Sequence, residues 1–176
     1  MGEQANGSQA ASIFVVMGVS GSGKTTIGTL LAKNVGAVFA DADDYHSPEN
    51  KEKMRAGIAL TDEDRAPWLQ TLNRLLKGWA EKGARGVLAC SALKAAYRDT
   101  LGAGMPAGVL QFVWLDGDPK MIQQRLEARK GTYMNPALLG SQFATLEAPV
   151  GALRVVNDRA PEEVVQQILQ EVQAKE

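Results

Sequence analysis

A glycine-rich octapeptide near the start of the chain has the spacing that binds nucleotide phosphates. Residues 18–25 read Gly-Val-Ser-Gly-Ser-Gly-Lys-Thr and fit the pattern G-x-x-x-x-G-K-[ST]. Glycines allow the backbone to wrap closely around phosphate oxygens, with several N–H groups pointing inward. The lysine of such a loop reaches the β- and γ-phosphates, and the hydroxyl after it ligates Mg²⁺. The residues predicted to bind nucleotide are Gly18, Ser20, Gly21, Ser22, Gly23, Lys24, Thr25 and Thr26.

The sequence on either side of this loop fits the same interpretation. Residues 13–17 are an apolar run, and apolar residues then recur at helical spacing from Ile27 to Val35, before Gly36. A strand, a glycine loop and a helix N-terminus are the context that the motif requires, because the free N–H groups and the positive dipole end of the helix also attract phosphate. The alternative is an ordinary tight turn between a strand and a helix.

Acidic residues and the single histidine follow a second short apolar run, residues 37–40. Asp41 and Asp43 point the same way if the extended backbone continues. Transfer of a phosphoryl group to an alcohol needs one carboxylate to take the hydroxyl proton and another near Mg²⁺. We assign Asp43 as the base and Asp41, with Thr25, as the metal ligands; capping of the next helix is the alternative for both acids. We predict that His46 hydrogen-bonds the acceptor as a neutral imidazole, or else is structural.

Basic residues fall where an anionic acceptor and a triphosphate need neutralising charge. Arginine binds carboxylates in a bidentate manner. Arg125 and Arg129 are four positions apart and share one face of a predicted helix. There they can close over the triphosphate, neutralise charge in the transition state and exclude water, with Arg129 assigned as catalytic. A solvated surface charge is the alternative for each basic residue. The basic residues predicted to face the acceptor are Arg55, Arg65, Lys94 and Arg98.

Short apolar runs alternate with helical patterns along the chain and would position these side chains. Strands are predicted over residues 12–17, 37–40, 87–90, 109–115 and 153–156. Helices are predicted over residues 24–35, 48–56, 62–82, 95–101, 119–129, 136–146 and 161–172. This alternation predicts an α/β fold of the P-loop NTPase type, with a five-stranded parallel sheet flanked by helices. Ligands of such sheets bind at the carboxyl ends of the strands. No aspartate ends the third strand, so the acids after the second strand have to hold the metal.

Length and composition narrow the classes of function. The chain of 176 residues suits one domain, which we place at residues 12–176 after a disordered leader over residues 1–11. The net charge of −1 offers no global attraction to nucleic acid or to an anionic membrane. Cys90 is the single cysteine, so an internal disulfide is impossible, and the run over residues 13–17 is too short to span a bilayer. We therefore expect a cytoplasmic protein that binds neither nucleic acid nor membrane.

Several longer strings resemble the bacterial gluconokinase family. The resemblance runs in order from about residue 13 to about residue 172 and extends far beyond the phosphate loop. It rests on residues 18–25, Asp41-Ala42-Asp43 with His46, Asn50-x-x-Lys53-Met54, residues 60–69, Cys90-Ser91-Ala92-Leu93-Lys94 with Tyr97-Arg98-Asp99, Arg125-Leu126-x-x-Arg129-Lys130-Gly131, and Ser141-Gln142-Phe143-x-x-Leu146-Glu147-x-Pro149.

The resemblance implies transfer of the γ-phosphate of ATP to the 6-hydroxyl of D-gluconate, with Mg²⁺. It also implies a core like that of shikimate and adenylate kinases, a lid over about residues 129–143 and a homodimer. The nucleotide is then expected against Arg125, and Gln142 joins the residues that face the acceptor. The acceptor residues that the family resemblance supports are Asp43, His46, Arg65, Lys94 and Arg98.

Two other functions remain open at this point. A kinase for another small hydroxy acid, such as shikimate, would share the phosphate loop and the acids, although residues 62–69 and 90–94 argue against it. A non-catalytic nucleotide switch would need ordered elements that sense the γ-phosphate. The chain has no evident switch threonine loop for that role.

Overall fold

A five-stranded parallel sheet in the order β2-β3-β1-β4-β5 forms the centre of the protein. The computed structural model describes residues 11–129 and 139–175. The strands are β1 Ile13–Met17, β2 Val38–Asp41, β3 Gly86–Ala89, β4 Leu110–Asp116 and β5 Leu153–Val156. The helices are α1 Lys24–Val35, α2 Pro48–Arg55, α3 Asp62–Glu81, α4 Ala95–Gly102, α5 Pro119–Ala128, α6 Leu139–Thr145 and α7 Pro161–Ala174. These elements confirm the predicted fold class.

Strand β1 is buried along its whole length because helices cover both faces of the sheet. On one face, Leu72 of α3 and Leu101 of α4 pack with Val15 in the first core cluster. On the other face, Ile27 of α1 and Ile168 of α7 belong to a second core cluster. With β1 central, the loop that follows it opens at the middle of the carboxyl edge of the sheet, where ligands of such sheets bind.

Local sequence signals set several helix ends. Helix α1 ends at Gly36, which adopts a left-handed φ of 65°. Helix α3 begins with a capping box, in which Thr61 and Asp64 satisfy each other's backbone N–H groups. Ser47 and Asp118 cap α2 and α5 by accepting hydrogen bonds from backbone N–H groups. Residue type and spacing alone indicate each of these helix ends.

The strand predicted over residues 37–40 is confirmed as β2, Val38–Asp41, but it is not buried as a short apolar run would suggest. Strand β2 lies at the edge of the sheet beside β3, which leaves Val38 50% exposed. The extended backbone ends at Asp41, and a 3-10 turn, Ala42–Tyr45, follows directly. Asp41 and Asp43 were expected to point the same way only if the extended backbone continued past Asp41. Because it does not continue, that expectation no longer applies.

Some predicted features fall outside the described residues. The predicted leader over residues 1–11 lies outside the described residues, except for Ala11, which packs against the second core cluster. Residues 130–138 of the predicted lid also lie outside them. These residues include the expected helix break after Arg129 and the expected helix start at Pro136. In the part of the chain that the structure describes, no helix is long and apolar enough to cross a membrane.

Candidate active site

The loop between β1 and α1 has the backbone conformation of a phosphate-binding loop. Gly21 and Gly23 have φ angles of 79° and 96°, in the region that favours glycine. The ammonium of Lys24 curls back over the loop and donates hydrogen bonds to the carbonyl oxygens of Gly18 at 3.1 Å and Val19 at 3.0 Å. Burial lowers the pKa of Lys24, although the Asp43 carboxylate opposes this effect.

Asn157, directly after β5, supports this loop from behind. Its side-chain Nδ2 donates a hydrogen bond of 2.8 Å to the carbonyl oxygen of Ser22, and the residue is only 7% exposed. A Cβ atom on Gly23 would lie 2.3 Å from the same Nδ2, so the side chain of Asn157 occupies the space that this glycine leaves. The carbonyl oxygen of Asn157 also accepts a hydrogen bond of 2.6 Å from Arg125. One residue therefore connects the phosphate loop to helix α5.

The loop forms one wall of a cleft at the carboxyl edge of the sheet. The cleft brings together many of the residues that the sequence predicted for nucleotide, metal and acceptor. Those that line it are Ser20, Gly21, Gly23, Lys24, Thr25, Asp41, Asp43, His46, Arg65, Arg129 and Gln142.

Two carboxylates face the phosphate loop across this cleft. Asp41 Oδ2 accepts a hydrogen bond of 2.9 Å from the Thr25 hydroxyl, and its Oδ1 accepts one of 3.0 Å from the backbone N–H of Asp43. Asp41 thus caps the 3-10 turn, which was its alternative role, while also meeting Thr25. Oxygen ligands are those that Mg²⁺ prefers, so the neighbouring Thr25 and Asp41 oxygens fit a magnesium ion.

Asp43 has the environment of a general base. It contacts solvent through the mouth of the cleft, yet protein surrounds it closely enough that loss of hydration is the main cause of its raised pKa. The Asp41 carboxylate raises the pKa further, whereas the Lys24 ammonium lowers it. A carboxyl group whose pKa is shifted toward neutrality takes a proton from an alcohol more readily than an ordinary aspartate does.

His46 lines the cleft as a neutral ring stacked on Trp68. The two ring centroids are 4.1 Å apart with an interplanar angle of 14°, and Trp68 Nε1 donates a hydrogen bond of 2.7 Å to the carbonyl oxygen of Ala42. His46 is 8% exposed. Burial, followed by the positive charges of Arg65 and Lys51, lowers the pKa of His46 to about 4. The imidazole is therefore uncharged near neutral pH.

Several other predicted residues lie outside the lining of the cleft. Arg98 is buried and donates hydrogen bonds to the backbone carbonyl oxygens of Ala92 and Leu93, at 2.7 and 3.1 Å, and of Glu147, at 2.9 Å. These contacts favour a structural role over the predicted contact with the acceptor. The ammonium of Lys94 forms an ion pair of 3.0 Å with the carboxylate of Asp62 on α3. The predicted residues that do not line the cleft are Gly18, Ser22, Thr26, Arg55, Lys94, Arg98 and Arg125.

Sequence reasoning missed two residues that build the site. The helical spacing of Trp68 matches the core stripe of α3 and indicates only packing, whereas in the structure Trp68 also stacks on His46. Asn157 is one of the residues that follow a strand, but the sequence suggests no role for it. Its position directly after a strand was the available signal, since ligands gather at the ends of strands in this fold.

The chain is similar to known kinases along most of its length. The sequence profile of the shikimate kinase family matches residues 20–173. The thermosensitive gluconokinase of Escherichia coli K12 is 48% identical over 140 residues, which cover 80% of this chain and 74% of that protein. The gluconokinase of Gluconobacter oxydans 621H is 42% identical over 167 residues, covering 93% and 92% of the two chains. The chain belongs to the gluconokinase family.

A solved gluconokinase structure shares the fold. The crystal structure of a gluconokinase from Sinorhizobium meliloti 1021 superposes with a TM-score of 0.81 at 40% identity and covers 94% of this chain and 93% of its own. As a member of the gluconokinase family, the chain is a kinase with a P-loop fold, and the loop after β1 is its nucleotide-binding element. Asp43, His46 and Arg65 line the same cleft as this loop.

Proposed function

We propose that this protein transfers the γ-phosphoryl group of ATP to the 6-hydroxyl of D-gluconate. The observation that carries the proposal is that a phosphate loop and a polar acceptor wall line one cleft in a chain of the gluconokinase family. Adjacent nucleotide and acceptor sites are what direct phosphoryl transfer requires, because the attacking and leaving oxygens must lie in line with the phosphorus.

The nucleotide side of the cleft neutralises the triphosphate. In our proposal, the backbone N–H groups of the loop and the N-terminus of α1 hold the phosphate oxygens, and Lys24 turns from the loop carbonyls toward the β- and γ-phosphates. Thr25 and Asp41 would hold Mg²⁺, which neutralises charge on the β- and γ-phosphates when it is bound. Arg129, at the rim of the cleft, is placed to stabilise the charge on the transferred group.

The acceptor side prepares the hydroxyl. Asp43 orients the 6-hydroxyl and takes its proton as the oxygen attacks the γ-phosphorus, and the bond between that phosphorus and the bridging oxygen of ADP breaks. His46, being neutral, offers a hydrogen bond to an acceptor hydroxyl without adding charge. Arg65 supplies positive charge for the acceptor carboxylate.

A coupled assay of ADP release tests the proposal. The full chain is supplied with ATP and Mg²⁺ and, in separate reactions, D-gluconate, shikimate, AMP, glucose or no acceptor. Saturable turnover with gluconate alone is the expected result. Turnover with a different acid alone would be consistent with the proposed mechanism but would show that gluconate is not the substrate. ATP hydrolysis at the same rate with every acceptor and with none would favour the nucleotide switch.

Two further features of this proposal come from the family resemblance. We infer a homodimer, which analytical ultracentrifugation of the full chain would test directly. The predicted contacts of Arg55, Lys94, Arg98, Arg125 and Gln142 with ligands likewise stay predictions.

A further inference from the structure

The phenol of Tyr97 on α4 is buried beside the acceptor wall and connects two charged residues of α3. Tyr97 is 6% exposed and belongs to the first core cluster. Its hydroxyl accepts a hydrogen bond of 3.0 Å from Nη1 of Arg65 and donates a short one to the carboxylate of Asp62. Arg65 lines the cleft, whereas Tyr97 and Asp62 do not.

Lys94 completes this cluster. Its ammonium donates hydrogen bonds to both carboxylate oxygens of Asp62, at 3.0 and 3.2 Å. The cations of Arg65 and Lys94 lie 5.4 and 5.5 Å from the centroid of the Tyr97 ring, within the range of cation–π attraction. Two positive groups and one negative group thus surround one aromatic ring, and the cluster keeps a surplus positive charge.

The acid next to Arg65 in the sequence is already paired with another cation. Asp64, the nearest acid along α3 toward Arg65, binds Lys53 at 2.9 Å. The hydrogen bonds from Tyr97 and Lys94 lower the pKa of Asp62, so this carboxylate is fully ionised near neutral pH. Burial, and after it the hydrogen bond to Asp62, raises the pKa of the Tyr97 phenol. The phenol therefore keeps the proton that it donates to Asp62. One acceptor carboxylate would balance the cluster.

We propose that Tyr97 is a positioning residue, which together with Asp62 and Lys94 holds Arg65 as the cationic site for the carboxylate of the acceptor. This inference rests on the proposed function and extends it to residues that touch no substrate. The Tyr97 contact uses one of the five N–H donors of Arg65 and fixes the plane of the guanidinium. A guanidinium with a fixed plane loses less freedom when it binds a carboxylate in a bidentate manner.

The fold alone does not require the hydroxyl of Tyr97. A phenylalanine would fill the same volume in the core and keep the face of the ring for both cations. The substitution Tyr97→Phe therefore removes only the hydrogen bonds that hold Arg65 and Asp62. The chain offers a matched control in Tyr45→Phe, because Tyr45 is 38% exposed at the end of the 3-10 turn and has no part in the cleft lining.

The test measures KM for the acid acceptor, KM for ATP and kcat in the wild type and both variants. For Tyr97→Phe we expect KM for gluconate to rise about tenfold, as for a lost hydrogen bond to a charged group, while KM for ATP and kcat change less than about twofold. Tyr45→Phe is expected to match the wild type. A folded Tyr97→Phe protein with unchanged KM for gluconate would overturn the inference, as would a parallel change in all three constants.

A double variant shows whether the effect passes through Arg65. Arg65→Lys loses the planar fork, so adding Tyr97→Phe to it should raise KM for the acid no further. Additive effects of the two substitutions would contradict the positioning role. If the wild type phosphorylates another acid instead of gluconate, KM for that acid in the wild type and the variants still tests the positioning role of Tyr97. A wild type that phosphorylates only uncharged acceptors, or no acceptor, would overturn both proposals.

Discussion

The backbone N–H of Ser20 donates a hydrogen bond of 2.7 Å to Oε1 of Gln142, a residue 122 positions later in the chain. This contact joins the phosphate loop to helix α6. After the C-terminal end of α6, the backbone N–H of Glu147 donates a hydrogen bond of 2.8 Å to the carbonyl oxygen of Leu93. The carbonyl oxygen of Glu147 accepts a hydrogen bond from Arg98. The α6 segment therefore spans the cleft from the phosphate loop to the loop after β3.

Replacement of Gln142 is expected to tighten nucleotide binding. Ser20 is one of the residues predicted to bind nucleotide, and if its N–H donates to a phosphate oxygen, Gln142 Oε1 competes with the nucleotide for it. Gln142→Leu keeps most of the side-chain volume and removes the competing oxygen. We expect the Kd of a non-hydrolysable ATP analogue, measured by calorimetry without acceptor, to fall about threefold to fivefold, in line with one neutral hydrogen bond. Gln124→Leu on α5 is the control, and unchanged or weaker binding by Gln142→Leu would rule out the competition.

Substitution of the proposed base should separate chemistry from binding. Asp43→Asn keeps the shape of the side chain but takes no proton, so we expect kcat to fall by about a hundredfold or more while the Kd of ADP changes less than about threefold. Because the pKa of Asp43 is raised, wild-type kcat/KM should decline as pH falls through that pKa, and the variant should lose this decline. Asp44→Asn in the same turn is the control. Normal turnover by Asp43→Asn would exclude this residue as the base.

His46 can be followed directly because it is the only histidine in the chain. A pH titration of its ring signals by NMR, on protein without a histidine tag, should give a midpoint at about 4 instead of the usual 6.5. Because the unfolded chain binds this proton more readily, the free energy of unfolding should fall as pH falls from about 6.5 to about 4. That dependence should weaken in His46→Gln. A midpoint near 6.5 would show that the ring is not held in its buried stack.

Asn157 should matter more to nucleotide binding than to the fold. Asn157→Ala removes the hydrogen bond to the carbonyl of Ser22 and the packing beside Gly23, so the phosphate loop loses its support. We expect a fivefold to tenfold weaker ADP affinity, or about 1 kcal/mol, and a smaller ADP-induced rise in Tm. The neighbouring exposed residue provides the control variant Asp158→Asn. A lower Tm with the full ADP-induced rise retained would assign Asn157 to stability alone.

The sequence alone determined the order of the elements, the fold class and the phosphate loop. These features depend on local chemistry, which a sequence displays directly. Helix α1 ends at Gly36, and the Thr61 capping box and the Asp118 cap begin helices, as these residue types and their spacing indicate. The longer strings also identified the gluconokinase family, which the comparisons confirmed.

Only the tertiary structure decided which side chains meet in the cleft. Of the four basic residues assigned to the acceptor side, Arg65 lines the cleft, whereas buried Arg98 binds backbone carbonyls. Strand β2 proved to be an exposed edge because strand order, which the sequence does not display, places it there. The contacts of Gln142 with Ser20 and of Tyr97 with Arg65 join residues 122 and 32 positions apart. Such contacts depend on how helices pack on the sheet and which rotamers that packing allows, and no local pattern encodes either.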